Sequence, residues 1–361
     1  MPPFQKCSTD RRFSMITLQA DILTDFVSRI FQAADTPPEV ADLVARSLVQ
    51  SNLVGHDSHG VVRVMQYLDA IERGETVPQA RPVIDRATGV VTVVDACRSF
   101  GQVAAAFAMQ LAIDKSDEVG IAAVGLHNSA HVGRLGEWVA MAAAVDKIGL
   151  AFCNGGRTGG IVAPFGGAAR RLGTNPIAAA LPVPGRPPIV LDFATSAVAE
   201  GKVRVARNSG KSIPEGWILD KEGRPSTQPE ALYDAGMLLP AAGHKGYGLS
   251  LLVEFLGGLL TGGGCPILGM DILSNGVLFI VLDIAAFRPL PDYQDDAAAF
   301  VDLIKETPPA QGFDEVLLPG EPEVRTMEHR RLHGIPLDDT TWSQMVEAAA
   351  RLDVNAPEVT R

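Results

Sequence analysis

Segments with strand-like and helix-like patterns alternate along most of this chain, and the alternation limits the folds open to it. Residues 88–96 form a β-branched run that predicts a strand, and residues 101–119 form an alanine-rich run that predicts a helix. The pattern predicts further strands at residues 121–126, 148–154, 177–183, 188–193 and 276–283, and further helices at residues 18–33, 37–50, 136–144, 194–207, 246–260, 296–305, 328–332 and 341–352. We therefore expect a mixed α/β fold.

The chain lacks the short motifs that mark several common α/β folds. Residues 246–248 (Gly-Tyr-Gly) come closest to the dinucleotide fingerprint G-x-G-x-x-G, but Leu251 stands where the third glycine is needed. Residues 210–212 resemble the end of a P-loop, but Val205 occupies the position of its first glycine. The hydrolase elbow G-x-S-x-G and the zinc motif H-E-x-x-H are also absent from the sequence. The sequence therefore predicts neither an ordinary Rossmann domain nor a P-loop domain.

Charge and cysteine content exclude several classes of partner. The formal net charge is −11 at pH 7 and no run of Lys and Arg offsets it, so neither nucleic acid nor an anionic membrane surface is expected to bind. The longest apolar stretch, residues 249–260, contains Glu254 and two glycines and is too short to span a bilayer. The four cysteines are far apart and have neither disulfide-framework nor zinc spacing. We expect a cytoplasmic protein without a metal site.

The first 14 residues differ from the rest of the chain. They are polar and irregular, and no apolar signal-peptide core follows Arg11 and Arg12. The segment predicts a disordered extension, or a protein whose natural start is Met15.

The segment GHDSHGVVRVMQYL, residues 55–68, has the most informative arrangement of functional groups. No Pro or Gly interrupts the apolar-rich pattern after Gly60, which predicts a helix with His59, Arg63 and Tyr67 along one face at i, i+4 and i+8. An imidazole can give a proton to a carbonyl oxygen, and a guanidinium can bind a carboxylate through two parallel hydrogen bonds. The set suits a small organic acid; the alternative is a solvated helix face with a chance His and Arg.

Loops that follow predicted strands carry the other candidate groups. His131 and Arg134 lie in the segment NSAHVGR, just after a short strand, where catalytic groups often occur; the alternative is a helix-capping loop. Glycines in residues 164–167 and 173–176 let backbone amides approach a phosphate or substrate, or else simply form tight turns. Residues 208–241 are rich in turn signals and predict a long excursion over the active-site surface.

Two further segments suggest phosphate or ribose binding. Asp192 closes a predicted strand, where its carboxylate could orient an imidazole or bind a ribose. Thr195 and Ser196 are cap-type residues, so the amides around Thr195 are predicted to open a helix and to hold phosphate. Lys245, in the segment GHKGYG, is a second candidate phosphate partner.

Taken together, these segments resemble the type-2 malate/L-lactate dehydrogenase family, which is unrelated to the Rossmann-type lactate and malate dehydrogenases. They cover nearly all of residues 20–345 in family order. The matching segments are GHDSHGVVRVMQYL, NSAHVGRLGEW, PFGG with LGTNP, LDFATS, IPEGWILD with the following G-x-P, GHKGYGLSLLVE, and LPGE with a late GIPL. The resemblance implies a non-Rossmann α/β fold, in which helical N- and C-terminal parts pack together around a central mixed-sheet nicotinamide-binding region.

The resemblance also implies a homodimer and a division of the chain into regions. We expect residues 15–84 with 325–361 to form a helical domain, and residues 85–130 with 270–324 to form an α/β region for substrate and dimer contacts. Residues 131–269 are then the nicotinamide-binding domain.

Functional positions follow from the resemblance residue by residue. His59 matches the proton donor. The implied catalytic residues are His59, Arg63, His131 and Asp192, and the implied substrate-binding residues are Ser58, Arg63, Tyr67 and His131. The implied cofactor-binding residues are Thr174, Asn175, Asp192, Ala194, Thr195, Ser196, His244, Lys245, Gly246, Gly320 and Glu321. Arg134 and Glu137 depart from the residues common in the family, where small and aromatic side chains follow the His.

The resemblance implies an NAD- or NADP-dependent dehydrogenase that transfers hydride between the nicotinamide and C2 of a small 2-oxo or 2-hydroxy acid of the malate or L-lactate type. A reductase for cyclic imino acids needs the same cofactor and carboxylate contacts and stays open. Alternatives from other classes are a non-catalytic small-molecule sensor and a metal-dependent lyase or hydrolase. The substrate, the choice between NAD and NADP, the physiological direction and the identity of the proton-donating His stay open.

Overall fold

The computed structural model describes residues 16–156, 160–268 and 274–359, so the extension predicted for residues 1–14 lies outside the described residues. The chain forms two compact units. The helical unit comprises residues 1–73, 181–189 and 284–361, and the sheet unit comprises residues 74–180 and 190–283. The three-region division stays a prediction; in the two units, residues 284–324 belong with the N-terminal helices.

The secondary structure has the following bounds. The strands are β1 (Ile16–Leu18), β2 (Val83–Thr88), β3 (Val91–Asp95), β4 (Ile121–Ser129), β5 (Lys147–Gly156), β6 (Ile177–Leu181), β7 (Ile189–Phe193), β8 (Ile218–Leu219), β9 (Pro225–Ser226), β10 (Met237–Leu238), β11 (Ser274–Asp283) and β12 (Ile335–Leu337). The α-helices are α1 (Ala20–Ala33), α2 (Pro38–Leu53), α3 (Val64–Glu72), α4 (Gly101–Val119), α5 (Leu135–Ala143), α6 (Glu200–Asn208), α7 (Glu230–Tyr233), α8 (His244–Val253), α9 (Ile284–Phe287), α10 (Leu290–Lys305), α11 (Glu321–His333) and α12 (Asp339–Arg351).

The helical unit joins the two ends of the chain. Strand β1 pairs antiparallel with β12, with Ile16 opposite Leu337. The ring of Phe26 on α1 lies 5.6 Å from that of Trp342 on α12, and both side chains are buried. The predicted packing of the C-terminal helices on the N-terminal helices is confirmed, because both amphipathic ends bury their apolar faces in one core.

A seven-stranded mixed sheet forms the sheet unit, in the order β2-β3-β4-β11-β5-β6-β7. Strand β3 runs parallel to β4, whereas β11 runs antiparallel to both β4 and β5. Val277, Phe279 and Val281 of β11 point into a buried core that also contains the alanines of α4 and Trp138 of α5. Gly276 has the opposite parity in the strand and lies against the backbone of Gly257, so a second layer covers the other face.

The 208–241 excursion is more structured than the sequence predicted. Strands β8, β9 and β10 form a small three-stranded sheet within it. Ile218 and Leu232 of the excursion pack in one buried core with Val203 of α6. The many turn residues therefore connect very short strands, and strands of two residues are too short to leave a periodic pattern in the sequence.

Several predicted elements agree with the structure, and others differ from it. Helix α4 has the predicted bounds, and strand β2 was missed because its side chains are exposed on an edge strand. The helix predicted at residues 194–207 begins only at Glu200. The helix predicted at residues 246–260 begins at His244 and continues after Val253 as a π-helix, Glu254–Leu259.

Candidate active site

The segment that contains His59 is not one continuous helix, and the predicted i, i+4, i+8 face is wrong. A 3₁₀ turn, Asp57–His59, ends at Gly60, whose ψ of −153° is extended. A second 3₁₀ turn, Val61–Arg63, leads into α3. Gly60 breaks the helix because a Cβ there would lie 2.2 Å from Oδ1 of Asn52, so the backbone passes directly over that side chain.

Asp57 fixes the first turn through a clamp. The Asn52 side chain donates to Asp57 Oδ1 at 2.7 Å and accepts from the amide of Val61 at 2.8 Å. Arg330 on α11 donates to both carboxylate oxygens of Asp57, at 2.6 and 3.1 Å, and to the carbonyl of Asn52. A neighbouring contact adds to the clamp, since His56 Nε2 lies 3.2 Å from Glu323 Oε1. The turn that carries Ser58 and His59 is thus held on both sides.

The side chains of interest emerge from this clamped turn. Ser58 Oγ lies 3.1 Å from Nδ1 of His59. Arg63 donates from Nε to the carbonyl of Ser58 at 2.7 Å and from Nη1 to Gln66 Oε1 at 2.6 Å. Tyr67 is buried, and its ring lies 6.3 Å from that of Phe31. Ser58, His59 and Arg63 therefore form a cluster, whereas the ring of Tyr67 is part of the core.

We expect Arg330→Ala to loosen the clamped turn. The change removes three donated hydrogen bonds and leaves the Asn52 carbonyl without that partner, which should lower the free energy of unfolding by about 1–3 kcal/mol. Chemical unfolding measures this loss, and the neighbouring exposed Arg331→Ala is the matched control. Arg330→Lys should recover only part of the loss because an ammonium cannot reproduce the fork. Equal stability of the Arg330 and Arg331 variants would contradict the clamp.

In the sheet unit, His131 lies in the connection between β4 and α5. A Cβ on Gly101, at the start of α4, would lie 2.2 Å from the His131 carbonyl oxygen, so the connection packs closely on that helix. The amide of Val132 donates to Asn275 Oδ1 at 2.9 Å, and Trp138 Nε1 donates to the Val132 carbonyl at 2.9 Å. The backbone beside His131 is therefore fixed by buried contacts.

Asp192, near the end of β7, lies at the start of α5. Its Oδ2 accepts a hydrogen bond of 2.6 Å from the amide of Gly136, in the first turn of that helix. A carboxylate in this place satisfies a helix N-terminal amide and complements the helix dipole. Sequence reasoning gave Asp192 an imidazole or a ribose as partner, and this capping contact was missed.

Several of the predicted cofactor positions in the sheet unit come together. The amide and hydroxyl of Thr195 both donate to the carbonyl of Thr174, at 2.9 and 3.1 Å. The carbonyl of Thr195 accepts from Ala241, and a Cβ on Gly246 would lie 2.8 Å from that same oxygen. The helix predicted to start at Thr195 is wrong, because the Thr195 amide is bonded to Thr174 and α6 begins later; the phosphate contact stays a prediction.

The first turn of α8 carries the other predicted cofactor residues of this unit. His244 and Lys245 are both exposed there, after Gly243 with a φ of +62°. The exposed ring of Phe165 lies 6.0 Å from the His244 ring in an edge-on arrangement. A helix N-terminus with two basic side chains and an exposed aromatic ring suits a ligand that has phosphate and aromatic groups.

A buried carboxylate, missed by sequence reasoning, connects these segments. Glu254 is 5% exposed; Oε1 accepts from Asn175 Nδ2 at 2.8 Å and Oε2 accepts from Asn154 Nδ2 at 2.9 Å. Asn175 also donates to Ser250 and has a positive φ of 44°. Glu254 therefore holds the strained residue that follows Thr174. The sequence signal was a lone Glu in an apolar run, at the point where the helix becomes π-helical.

The same network reaches the His131 connection. Asn275 Nδ2 donates to the carbonyl of Asn154 at 3.0 Å, while its Oδ1 accepts from Val132. Asn154 Oδ1 accepts from the amide of Gly276 at 3.1 Å. A chain of buried amides thus runs from Glu254 to the residue after His131, and such networks specify a unique geometry when each member is satisfied.

The described cysteines have no features of nucleophiles. Burial raises the pKa of the Cys153 thiol, and the nearby Asp192 and Glu254 carboxylates raise it further. Burial also raises the pKa of Cys265, and burial with the Asp95 carboxylate raises that of Cys97. A raised pKa keeps each thiol protonated near neutral pH.

No group of three His, Cys, Asp or Glu side chains in the described residues could hold a metal ion. Within the same residues, no helix has the length and apolar character needed to cross a membrane.

Gly320 and Glu321 belong to the helical unit. They line a cavity of about 350 Å³ together with residues 186–189, Val301 and the first turns of α11. Glu321 Oε2 accepts from Lys305 at 2.8 Å and from the amide of Leu318 at 2.9 Å. The Lys305 hydrogen bond helps to lower the pKa of Glu321 against the opposing effect of burial.

A comparison with known families decides the identity of the fold. The model of the malate/L-lactate dehydrogenase family matches residues 18–346. The chain belongs to the malate/L-lactate dehydrogenase family. It is thus an oxidoreductase of the malate/lactate dehydrogenase type, a class that uses a nicotinamide cofactor, and the predicted non-Rossmann fold is confirmed.

Relatives within the malate/L-lactate dehydrogenase family extend over almost the whole chain. The chain is 37% identical to hydroxycarboxylate dehydrogenase B of Escherichia coli (strain K12), over 94% of this chain and 95% of that protein. It is 36% identical to malate dehydrogenase of Pyrococcus abyssi, over 99% of this chain and 100% of that protein. The crystal structure of Δ1-piperideine-2-carboxylate reductase from Pseudomonas syringae has a TM-score of 0.83 and 33% identity, covering 92% of this chain and 99% of that one.

Proposed function

We propose that this protein interconverts a small 2-oxo acid and the corresponding 2-hydroxy acid with NAD or NADP. The observation that carries the proposal is the cluster of Ser58, His59 and Arg63 on a turn clamped by Asp57 and Arg330. The cluster provides a group that can transfer a proton near neutral pH and a cation that can bind a carboxylate. Both groups are required by this reaction, and the relatives' activities on hydroxy acids support the assignment.

The residues of the sheet unit fit a nicotinamide cofactor. Thr195 is hydrogen-bonded to Thr174 and packs against Gly246, and we call these three residues the cofactor cluster. Lys245 supplies positive charge at the start of α8, beside the exposed imidazole of His244. Asn175, Ala194 and Ser196 are the other residues of this unit that would hold the cofactor. Gly320 and Glu321, in the helical unit, stay cofactor contacts predicted from the family resemblance. When bound, the nicotinamide supplies or accepts the hydride at C2 of the substrate.

In the reducing direction, His59 gives its proton to the oxygen that develops negative charge on C2. Arg63 binds the substrate carboxylate and thereby fixes the orientation of C2. His131 donates a hydrogen bond to the substrate oxygen, and Ser58 holds Nδ1 of His59. Asp192 keeps the first turn of α5 in place beside the His131 connection and adds negative charge there. In the oxidising direction, the same His59 accepts the hydroxyl proton.

A second candidate is the reduction of a cyclic imino acid. The solved structure of a piperideine-2-carboxylate reductase with a TM-score of 0.83 favours it as the alternative. Such a substrate needs the same carboxylate contact with Arg63. Its imine nitrogen can bind already protonated, so the reaction would not require a proton from His59.

One assay tests both candidates. Purified protein is mixed with NADH or NADPH in parallel, and absorbance at the nicotinamide band is followed with pyruvate, oxaloacetate and a cyclic imino acid. Oxidation of one cofactor with a 2-oxo acid supports the proposal and identifies the cofactor. Oxidation with the imino acid alone supports the second candidate. Silence with all substrates, together with no cofactor binding by calorimetry, overturns both and favours a sensor.

The protein would act as a homodimer. Exposed apolar side chains on α8 and the π-helix support a protein contact there; Leu252, Phe255 and Leu260 are 44%, 62% and 66% exposed. Light scattering after size-exclusion chromatography is expected to give about twice the chain mass of 38.2 kDa. A mass of one chain would contradict this expectation, and Phe255→Asp should shift the mass toward one chain.

A further inference from the structure

Arg134 is a buried cation, and one of its guanidinium donors has no hydrogen-bond partner among the described residues. Arg134 is 9% exposed, and its Nε atom is buried without a hydrogen-bond partner in the described part of the chain. A guanidinium has five N–H donors, and burying the charge without hydrogen-bonded partners is costly. A positive charge kept in this state is typical of a site that receives an anion.

The carboxylate of Asp192 lies beside Arg134 and balances the charge only in part. A Cβ on Gly136 would lie 2.8 Å from Arg134 Nη1 and 3.0 Å from Asp192 Oδ2, so both charged groups lie beside the first turn of α5. Asp192 Oδ2 already accepts the amide of Gly136 at 2.6 Å. The carboxylate thus compensates part of the positive charge, while Nε of Arg134 still has no hydrogen-bond partner among the described residues.

The backbone fixes Arg134 relative to His131. Val132, between them, is held by Asn275 through its amide and by Trp138 through its carbonyl, both at 2.9 Å. Val132, Gly133 and Arg134 are all buried. Arg134 therefore has a fixed position relative to His131, three residues earlier in the same connection. A ligand whose oxygen contacts His131 lies in a fixed position relative to Arg134.

We infer that Arg134 binds the second acidic group of a 2-oxo diacid substrate and so selects diacids over monoacids. The inference rests on the proposed function, in which His131 contacts the substrate oxygen. A cofactor phosphate is the less suitable anion, because the described hydrogen bonds join the cofactor cluster through Thr174, Thr195 and Ala241, and Lys245 already provides a cation there. Oxaloacetate has the required second carboxylate, whereas pyruvate has none.

The test compares kcat/KM for oxaloacetate and pyruvate in the wild type and in Arg134→Ala. We expect a loss of about 100-fold for oxaloacetate, the size typical of removing one partner of a buried charge pair, and a change below about threefold for pyruvate. Arg134→Lys should restore part of the preference, since it keeps the charge without the planar fork. Arg204→Ala is the control, because Arg204 pairs with Glu200 on the surface of α6.

A second measurement separates substrate binding from a structural role. Malate at millimolar concentration should raise the melting temperature of the wild type and not that of Arg134→Ala, whereas lactate should affect the two alike. Without malate, Arg134→Ala should melt somewhat lower than the wild type, because a buried side chain beside Asp192 is truncated, and this effect is common to both substrates. A lower melting temperature with equal losses for both substrates would overturn the inference.

Other outcomes are equally decisive. A loss confined to NADPH relative to NADH would assign Arg134 to a cofactor phosphate and overturn the inference, as would a wild type that uses pyruvate but not oxaloacetate. If the wild type oxidises neither NADH nor NADPH with any 2-oxo acid, the proposed function fails. The effect of malate on the melting temperature still decides the role of Arg134 in that case. A rise in the wild type that is lost in Arg134→Ala would support an anion site at Arg134 without supporting the proposed function.

Discussion

We expect the His59→Ala variant to lose turnover by about 10²–10⁴-fold, the range typical of removing a general acid, with little change in the dissociation constant of the nicotinamide cofactor. The imidazole gives the proton that neutralises the developing oxyanion, so its loss raises the barrier of the chemical step. Cofactor binding depends on other residues of the proposal, chiefly Thr195 and Lys245. Steady-state kinetics and a fluorescence titration of NADH or NADPH measure the two quantities separately.

A matched control for this variant is His329→Ala. His329 is an exposed histidine on α11 whose ring stacks on that of His333 at 4.3 Å, and the proposal gives it no role. Its replacement should leave turnover within a factor of about two, as for an ordinary surface change. Full turnover in His59→Ala would remove this residue from the mechanism and make His131 the candidate proton donor.

The second large effect is expected for Glu254→Gln. The Glu254 carboxylate accepts from two amide groups, those of Asn154 and Asn175. A glutamine has one acceptor oxygen, so its NH₂ group would face the NH₂ group of an asparagine, and a buried donor would lose its partner. We expect the free energy of unfolding to fall by about 1–3 kcal/mol. Because Asn175 follows Thr174 in the cofactor cluster, the cofactor should also bind more weakly.

Chemical unfolding and cofactor titration test this expectation. Glu118→Gln is the matched control, since Glu118 is exposed near the end of α4 and the same change there should cost less than about 0.5 kcal/mol. If Glu254→Gln binds the cofactor normally and unfolds like the control, the network does not hold residues 173–175. Weaker cofactor binding with unchanged stability would confine the role of Glu254 to positioning the loop.

Local sequence patterns were sufficient wherever one segment determined its own structure. The alanine-rich α4 ends at Gly120 in the left-handed region, with a φ of +82°, and both ends were predicted. The strands β5 and β11 were found to within a few residues because each has a short, largely buried apolar sequence in the middle of a covered sheet. The family resemblance also came from short segments, since each motif is contiguous in the chain.

Local patterns failed where a distant group altered the backbone. Within residues 59–67 only Gly60 hints that the helix is interrupted, and the contact that requires this glycine is made by Asn52, outside the segment. The amides around Thr195 have cap-type side chains, yet the amide of Thr195 is bonded to Thr174, and the helix therefore starts five residues later. In both places a long-range hydrogen bond or contact outweighed a preference worth about 1 kcal/mol.

The sequence by itself determined the mixed α/β class, the family and the residue types available for chemistry, since periodicity and motifs depend on neighbours in the chain. Only the tertiary structure decided what holds those residues in place. Arg330 meets Asp57 across 273 residues, and Glu254 meets Asn154 across 100. The partners of a buried polar group are chosen by distance and geometry after folding, and a buried group left without them is strongly destabilising. The same reason makes Arg134 informative, because the fold buries its charge where the sequence showed only a departure from the family pattern.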